Sequence, residues 1–241
     1  MLKAFKKMNF FKKIFILNSL IFFIFYFFYL IFPKFDIFFS GFFFSEGRFL
    51  ADRYIFIKEL RTLLKNIMII IPIVALFYLI ILKINKYQKI LVKREQQTSQ
   101  RTIYALIGLV IGPIIGCGMI ANLYFKDTWG RARPINIEEF KGNKIYTPPF
   151  IKSDQCNKNC SWIGGEVAGA YSLLVGLFLL RNYFYTKLCF ILGLLVIFCR
   201  VSMGGHFLSD NLFSVILMIY LALSYRFIVI KYLMRKDLFK S

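Results

Sequence analysis

The chain has 241 residues, of which 59% are apolar, 19% aromatic and only 18% charged. Such a composition excludes intrinsic disorder, which is poor in aromatic and β-branched residues; 15 Gly and 5 Cys exclude collagen-like and disulfide-scaffold classes. The net charge of +20 would mark a nucleic-acid binder in a soluble protein. Here the charges punctuate apolar runs, so the expected partners are the bilayer and anionic head groups or a phosphorylated substrate, with no nucleic acid. The expected fold is all-α, a polytopic membrane protein in one domain over 1–241, because helices satisfy their own backbone in lipid.

Five lysines (Lys3, Lys6, Lys7, Lys12 and Lys13) precede a first apolar run over 14–32, long enough to cross about 30 Å of hydrocarbon. Its end, Tyr29-Leu30-Ile31-Phe32-Pro33, is bulky and lacks a small-residue cleavage site, so it reads as an uncleaved span rather than a signal peptide. Over 46–64, Phe49, Leu50, Tyr54, Ile57, Leu60 and Leu64 recur at helical spacing among charges, which predicts an outward-facing amphipathic helix at the interface. Further spans are predicted over about 67–82, 103–125, 162–180, 188–203 and 212–225, giving a six-helix bundle. Gly108, Gly112 and Gly116, with Gly165 and Gly169, form small-xxx-small patterns that read as a packing seam.

Lys and Arg counts orient the bundle. The N-terminus and the segments 83–101, 181–187 and 226–240 carry eighteen basic residues against two acids, Glu95 and Asp237. The segments 34–65 and 126–158 carry thirteen against eight. Both termini are therefore expected in the cytoplasm, with the 126–161 loop facing outward.

Three polar clusters fall at that outer end: Lys126-Asp-Thr-Trp-Gly-Arg131-Ala-Arg133-Pro134, Cys160-Ser161-Trp162-Ile163-Gly164-Gly165-Glu166, and Arg200-Val-Ser-Met-Gly-Gly-His206-Phe-Leu-Ser-Asp210. Lys126, Arg133 and Arg200 are candidate phosphate ligands, Arg as a fork and Lys as a point charge, although interfacial snorkelling is the bland alternative for each. His206 is the sole histidine, and Asp210 four residues on is expected to share its helix face and fix its tautomer, leaving the other nitrogen as nucleophile or base. Gly164 and Gly165 offer unobstructed amides for an anion at a helix N-terminus. Glu166, inside an apolar run, should be paired or used. One His without a carboxylate cluster falls short of a metal set.

Lys126-x6-Arg133-Pro134 and Arg200-x5-His206-x3-Asp210 resemble the first and third signatures of the type-2 phosphatidic acid phosphatase superfamily of integral-membrane lipid phosphatases, over about 100–225. Where that family reads Pro-Ser-Gly-His, this chain has Ile163-Gly164-Gly165-Glu166. The approach Cys156-x3-Cys160-Ser161 is similar to the bacterial lipid A phosphatase branch, which implies a bacterial inner membrane and a periplasm-facing site. In an oxidising periplasm Cys156 and Cys160 could pair. The resemblance implies that His206 attacks phosphorus to form a phosphohistidine while Asp210 orients it. Lys126, Arg133, Arg200, Gly164 and Gly165 would hold the phosphate oxygens and Glu166 would stand for the usual histidine. No metal and no cofactor is implied. Among the three cations Glu166 would be ionised, a better base than acid, favouring leaving groups that need little protonation.

The leading expectation is thus hydrolysis of a lipid phosphomonoester or diphosphate of lipid A, prenyl or glycerophospholipid type. Two alternatives stay open: a phosphotransferase using the same intermediate, and a lipid-phosphate-binding pseudoenzyme, motivated by the altered middle signature.

Overall fold

The computed structural model describes residues 9–91, 100–180 and 183–233. The basic residues counted above at 1–8, 92–99, 181–182 and 234–241 lie outside the described residues. The chain is an all-α membrane protein. Among the described residues, five helices are long and apolar enough to cross a bilayer: Phe10–Ile31, Ile55–Ile84, Gln100–Lys126, Tyr183–Ser202 and Leu208–Leu233.

In chain order, α1 (Phe10–Ile31) is capped by Asn9, whose side chain accepts the Phe11 N–H at 3.1 Å. The short α2 (Phe35–Gly41) follows, then a hairpin of β1 (Phe44–Ser45) and β2 (Arg48–Phe49), and one turn of helix, α3 (Leu50–Arg53). The long α4 (Ile55–Leu91) comes next, and α5 (Gln100–Pro113) continues through wider π-helical turns over Ile114–Lys126. After an irregular loop come α6 (Gly165–Ser172), α7 (Leu174–Leu177), α8 (Tyr183–Ser202) and α9 (Leu208–Ile228).

Two sequence expectations change. No separate amphipathic helix lies at an interface over 46–64; the hairpin, α3 and the first turns of α4 take its place. The physical reason is that Phe49, Ile57 and Leu64 of its apolar stripe meet protein, whereas Tyr54 stays exposed. Phe49 is 1% exposed and packs edge-on to Phe140, while Ile57 and Leu64 begin a buried face of α4 that Met68 and Ala75 continue. The expected fourth span over 162–180 is also shorter, an apolar helix over Gly165–Leu177. At 1.5 Å per residue its thirteen residues cover about 20 Å. Val167, Ala168, Ala170, Leu173 and Leu174 are all buried, since α6 and α7 are enclosed by α5, α8 and α9. Outer helices show the reverse: Phe23, Ile24, Phe27 and Leu30 of α1 are each more than half exposed, a face suited to lipid.

The glycine seam packs α5 onto the central helix. A Cβ on Gly108 would lie 2.7 Å from the Gly176 Cα, and one on Gly112 would lie 2.4 Å from the Ser172 carbonyl oxygen. Close approach of this kind lets helices associate where no hydrophobic drive exists. Gly112→Leu is expected to destabilise the bundle by about 2 kcal/mol or more, read as a lowered melting temperature in detergent, whereas Gly118→Ala, whose Cβ would make only an ordinary contact with the Pro113 carbonyl oxygen at 3.8 Å, should melt as the wild type.

Candidate active site

One end of the bundle gathers the chemistry. Lys126 closes α5, the loop behind it brings Arg131 and Arg133, and Gly165 and Glu166 open α6. Arg200 lies in the last turn of α8, His206 in the following turn and Asp210 in the first turn of α9. Two side chains arrive from elsewhere, Asp36 on α2 and Arg61 on α4. The α8–α9 turn is tight because Gly205 permits it: a Cβ there would lie 2.5 Å from Arg200 Nη2.

His206 is 1% exposed, and its Nδ1 lies 2.7 Å from the Ser161 carbonyl oxygen. The expected pairing with Asp210 is a loose contact rather than a shared helix face, because α9 starts only at Leu208 and His206 precedes the cap residue Phe207. Asp210 Oδ2 stands 3.8 Å from His206 Nδ1. That oxygen instead accepts the Phe207 N–H at 2.8 Å and the Ser161 hydroxyl at 2.5 Å. Ser161 therefore fixes the ring through its carbonyl and the carboxylate through its hydroxyl. Burial pushes the imidazole pKa down to about 3; Arg200 and Lys126 act in the same direction and Asp210 against it. A neutral ring that donates from Nδ1 carries its lone pair on Nε2.

Behind the histidine lies a buried ion network. Arg131 is completely buried; its Nη2 donates to Asp36 Oδ2 at 2.8 Å, its Nη1 to Ser209 Oγ at 2.9 Å and to Asp210 Oδ1 at 2.5 Å, and its Nε to the Thr147 carbonyl at 2.8 Å. Its guanidinium carbon sits 4.4 Å from the Phe207 ring centroid, with Tyr146 and Trp162 farther out. Burial alone would lower its pKa, but Asp210 and Asp36 outweigh it and keep it charged. Asp36 also accepts from the Tyr29 hydroxyl at 3.0 Å and the Ser209 N–H at 3.0 Å.

In front lies a second set of charges. Glu166 is gripped by Arg61, whose Nε donates to Oε1 at 3.1 Å and Oε2 at 3.0 Å and whose Nη2 also donates to Oε1. Arg200 Nη1 approaches the same carboxylate at 3.6 Å. Arg200 is 5% exposed, yet its Nε has no hydrogen-bond partner. A buried unsatisfied donor costs about 1–3 kcal/mol unless a ligand oxygen completes it. Lys126 fits against Gly165, where a Cβ would lie 2.7 Å from its Nζ. Arg133 donates through Nη2 to the Asn159 carbonyl and side-chain oxygen, both at 2.8 Å. Asn159 lies inside the short loop closed by a Cys156–Cys160 disulfide. The expectation of two free glycine amides needs correction: the Gly164 N–H donates to the Asp210 carbonyl at 3.1 Å, which ties α6 to α9.

The three sequence clusters thus meet. Sequence reasoning missed Asp36 and Arg61 as members, and it gave Arg131 and Ser161, both inside the clusters, no role. For Asp36 a signal existed, an acid set within the Phe-rich stretch 35–44, where an unpaired carboxylate would be costly. Among the described residues no three His, Cys, Asp or Glu side chains could hold a metal ion. Chemically, the arrangement offers a neutral imidazole beside four cations and one carboxylate, suited to a phosphate dianion.

Residues 101–234 match the PAP2 superfamily. The chain is similar to a lipid A 4'-phosphatase of Francisella tularensis subsp. novicida (strain U112), 34% identical over 197 residues, covering 77% of this chain and 82% of the relative. It is also similar to lipid A 4'-phosphatases of Rhizobium leguminosarum, 28% identical over 61% of this chain and 63% of the relative, and Rhizobium etli, 27% identical over 61% of this chain and 57% of the relative. No solved structure matches it.

Because His206 is the sole histidine, its 15N imidazole resonances are unambiguous. They are expected to remain those of a neutral ring protonated at Nδ1 from about pH 8 down to about pH 4.5, where an ordinary histidine would be cationic. A ring that titrates near pH 6.5 would mean that the site is wet and not buried.

Proposed function

The chain belongs to the PAP2 superfamily, and from that premise we propose that it is a lipid A phosphatase working through a phosphohistidine on the periplasmic face of a bacterial inner membrane. That the chain is a membrane lipid phosphatase follows from the family and the relatives. The observation that carries the finer reading is the buried neutral His206 beside Arg200, whose Nε lacks a partner. The excess of Lys and Arg outside the outward loops supports a cytoplasmic location for both termini.

In the first step the Nε2 lone pair of His206 attacks phosphorus. The bond from phosphorus to the leaving sugar oxygen breaks, and that oxygen keeps the electron pair and takes a proton from solvent. Lys126, Arg133 and Arg200 hold the non-bridging oxygens, together with the Gly165 amide; catalysis at this stage is positioning and charge stabilisation. In the second step water attacks the phosphohistidine. Glu166, kept ionised by its pairing with Arg61, accepts the water proton as the phosphorus–nitrogen bond breaks and the pair returns to Nε2. Orthophosphate then leaves a neutral ring, and Glu166 gives its proton up to solvent to return to the carboxylate. The Cys156–Cys160 loop holds Asn159 and through it Arg133, so the disulfide serves substrate binding.

The deciding experiment is phosphate release by detergent-purified protein from a panel of lipid A, prenyl diphosphate and phosphatidic acid. Lipid A is expected to lead, with His206→Ala lowering the rate by at least about 1,000-fold and Glu166→Gln by about 100-fold while phosphoenzyme accumulates. No release or transfer of phosphate by the wild type from any lipid would leave a binding protein instead. Cys156→Ser combined with Cys160→Ser is expected to raise KM about three- to tenfold with kcat little changed, measured on the same lipid.

A further inference from the structure

We propose that Asp36 and Arg131 form with Asp210 a buried charge-sharing triad that positions the His206 turn and supplies the counter-charge to the ring when it carries phosphate. The proposal rests on the phosphohistidine reading above and assigns a role to Asp36, which lies outside the 101–234 family match.

The geometry divides one guanidinium between two carboxylates. Arg131 Nη2 serves Asp36 and Nη1 serves Asp210, and all three side chains are fully buried. Each carboxylate also holds the backbone beside the histidine: Asp210 accepts the Phe207 N–H at 2.8 Å, and Asp36 accepts the Ser209 N–H at 3.0 Å. The Ser209 hydroxyl bridges the set, donating to Asp36 and accepting from Arg131. The turn that presents His206 is therefore pinned on its C-terminal side by two acids that share a cation.

Charge counting gives the second half. Two carboxylates on one guanidinium leave the triad with one net negative charge. His206 attacks with its Nδ1 proton retained, so the phosphorylated ring is cationic at a point 3.8 Å from Asp210 Oδ2. Were Arg131 paired with Asp210 alone, that pair would be neutral and the ring would face no net counter-charge. Asp36 draws off part of the guanidinium and leaves Asp210 with negative charge to spare. In a water-poor site that field acts strongly and needs no reorganisation as the ring charges. The cations in front of the ring oppose that charging, so the counter-charge has to come from behind. Asp36 is a positioning residue: it acts through Arg131 and Asp210 and does not touch the reacting atoms.

The test compares wild type, Asp36→Asn and Tyr29→Phe in phosphate release from lipid A and in trapping of acid-labile phosphoenzyme. Asp36→Asn removes charge and keeps shape. It is expected to lower kcat by at least about thirtyfold with KM within about threefold, and to slow phosphoenzyme formation equally. Tyr29→Phe removes a hydrogen bond to Asp36 but no charge, and its kcat should stay within about threefold of wild type. Wild-type kcat in Asp36→Asn overturns the proposal, as does an equal loss in both variants that tracks their melting temperatures. Asp36→Ser replaces Asp36→Asn if the latter does not accumulate. Should neither accumulate while Tyr29→Phe does, Asp36 is a folding residue and the proposal fails. A wild type that releases phosphate without forming phosphohistidine sinks the underlying reading, whereas unaltered phosphoenzyme formation in Asp36→Asn sinks this inference alone.

Discussion

A guanidinium with no exposed surface, held between two carboxylates that are equally buried, constrains the whole active end of this molecule. Desolvating three charges is expensive, and the mutual attraction repays it only when geometry is good and the remaining donors are satisfied. Arg131 meets those terms through Asp36, Asp210, Ser209 and the Thr147 carbonyl, within a sheath of Phe207, Tyr146 and Trp162. Removing one partner of such a network leaves an uncompensated buried charge, typically about 3–5 kcal/mol. The interaction consequently fixes three distant parts of the chain in one register: the segment after α1, the loop after α5 and the start of α9. The His206 turn is attached to the last of these.

The two sets of charges around His206 differ in kind. Behind the ring every charge is hydrogen-bonded, as a structural element requires, and one negative charge remains in excess. In front, Lys126, Arg61, Arg133 and Arg200 face a single carboxylate, Glu166, and the Arg200 Nε has no partner. An uncancelled positive field in a partly dry cleft attracts a phosphate dianion and stabilises charge that develops on its oxygens. Glu166 occupies part of this field, paired with Arg61 and approached by Arg200 at 3.6 Å. The middle signature, with Gly164, Gly165 and Glu166 where the family has Ser, Gly and His, is accommodated by two changes. Gly164 gives its amide to Asp210, and Arg61 comes from outside the signature region to hold the carboxylate.

Much was legible in the linear sequence because lipid is a simple solvent. Runs of apolar residues long enough to span a bilayer read directly as helices, and all five observed crossing helices overlap runs marked on that ground. The spacing of Lys126 to Arg133 and of Arg200 to Asp210 marked both outer signatures. What misled was amphipathic periodicity over 46–64: a helical stripe of apolar residues looks the same whether lipid or protein covers it. Phe49 and Leu64 are covered by protein. The central helix over Gly165–Leu177 is short because neighbouring helices, rather than hydrocarbon, surround it.

By itself the sequence determined the class of solvent, the approximate places where the chain crosses it and the two outer signatures whose residues lie close together along the chain. Those follow from local composition and short spacing, which need no knowledge of distant partners. Tertiary structure alone decided that the Ser161 carbonyl rather than the Asp210 carboxylate accepts the His206 Nδ1–H, that Arg61 grips Glu166 and that Asp36 completes the triad. Each depends on a pairing across tens to more than a hundred residues, and such a pairing is set by how helices pack. No periodicity along the chain encodes which of thirty-two cations will be buried against which of twelve acids.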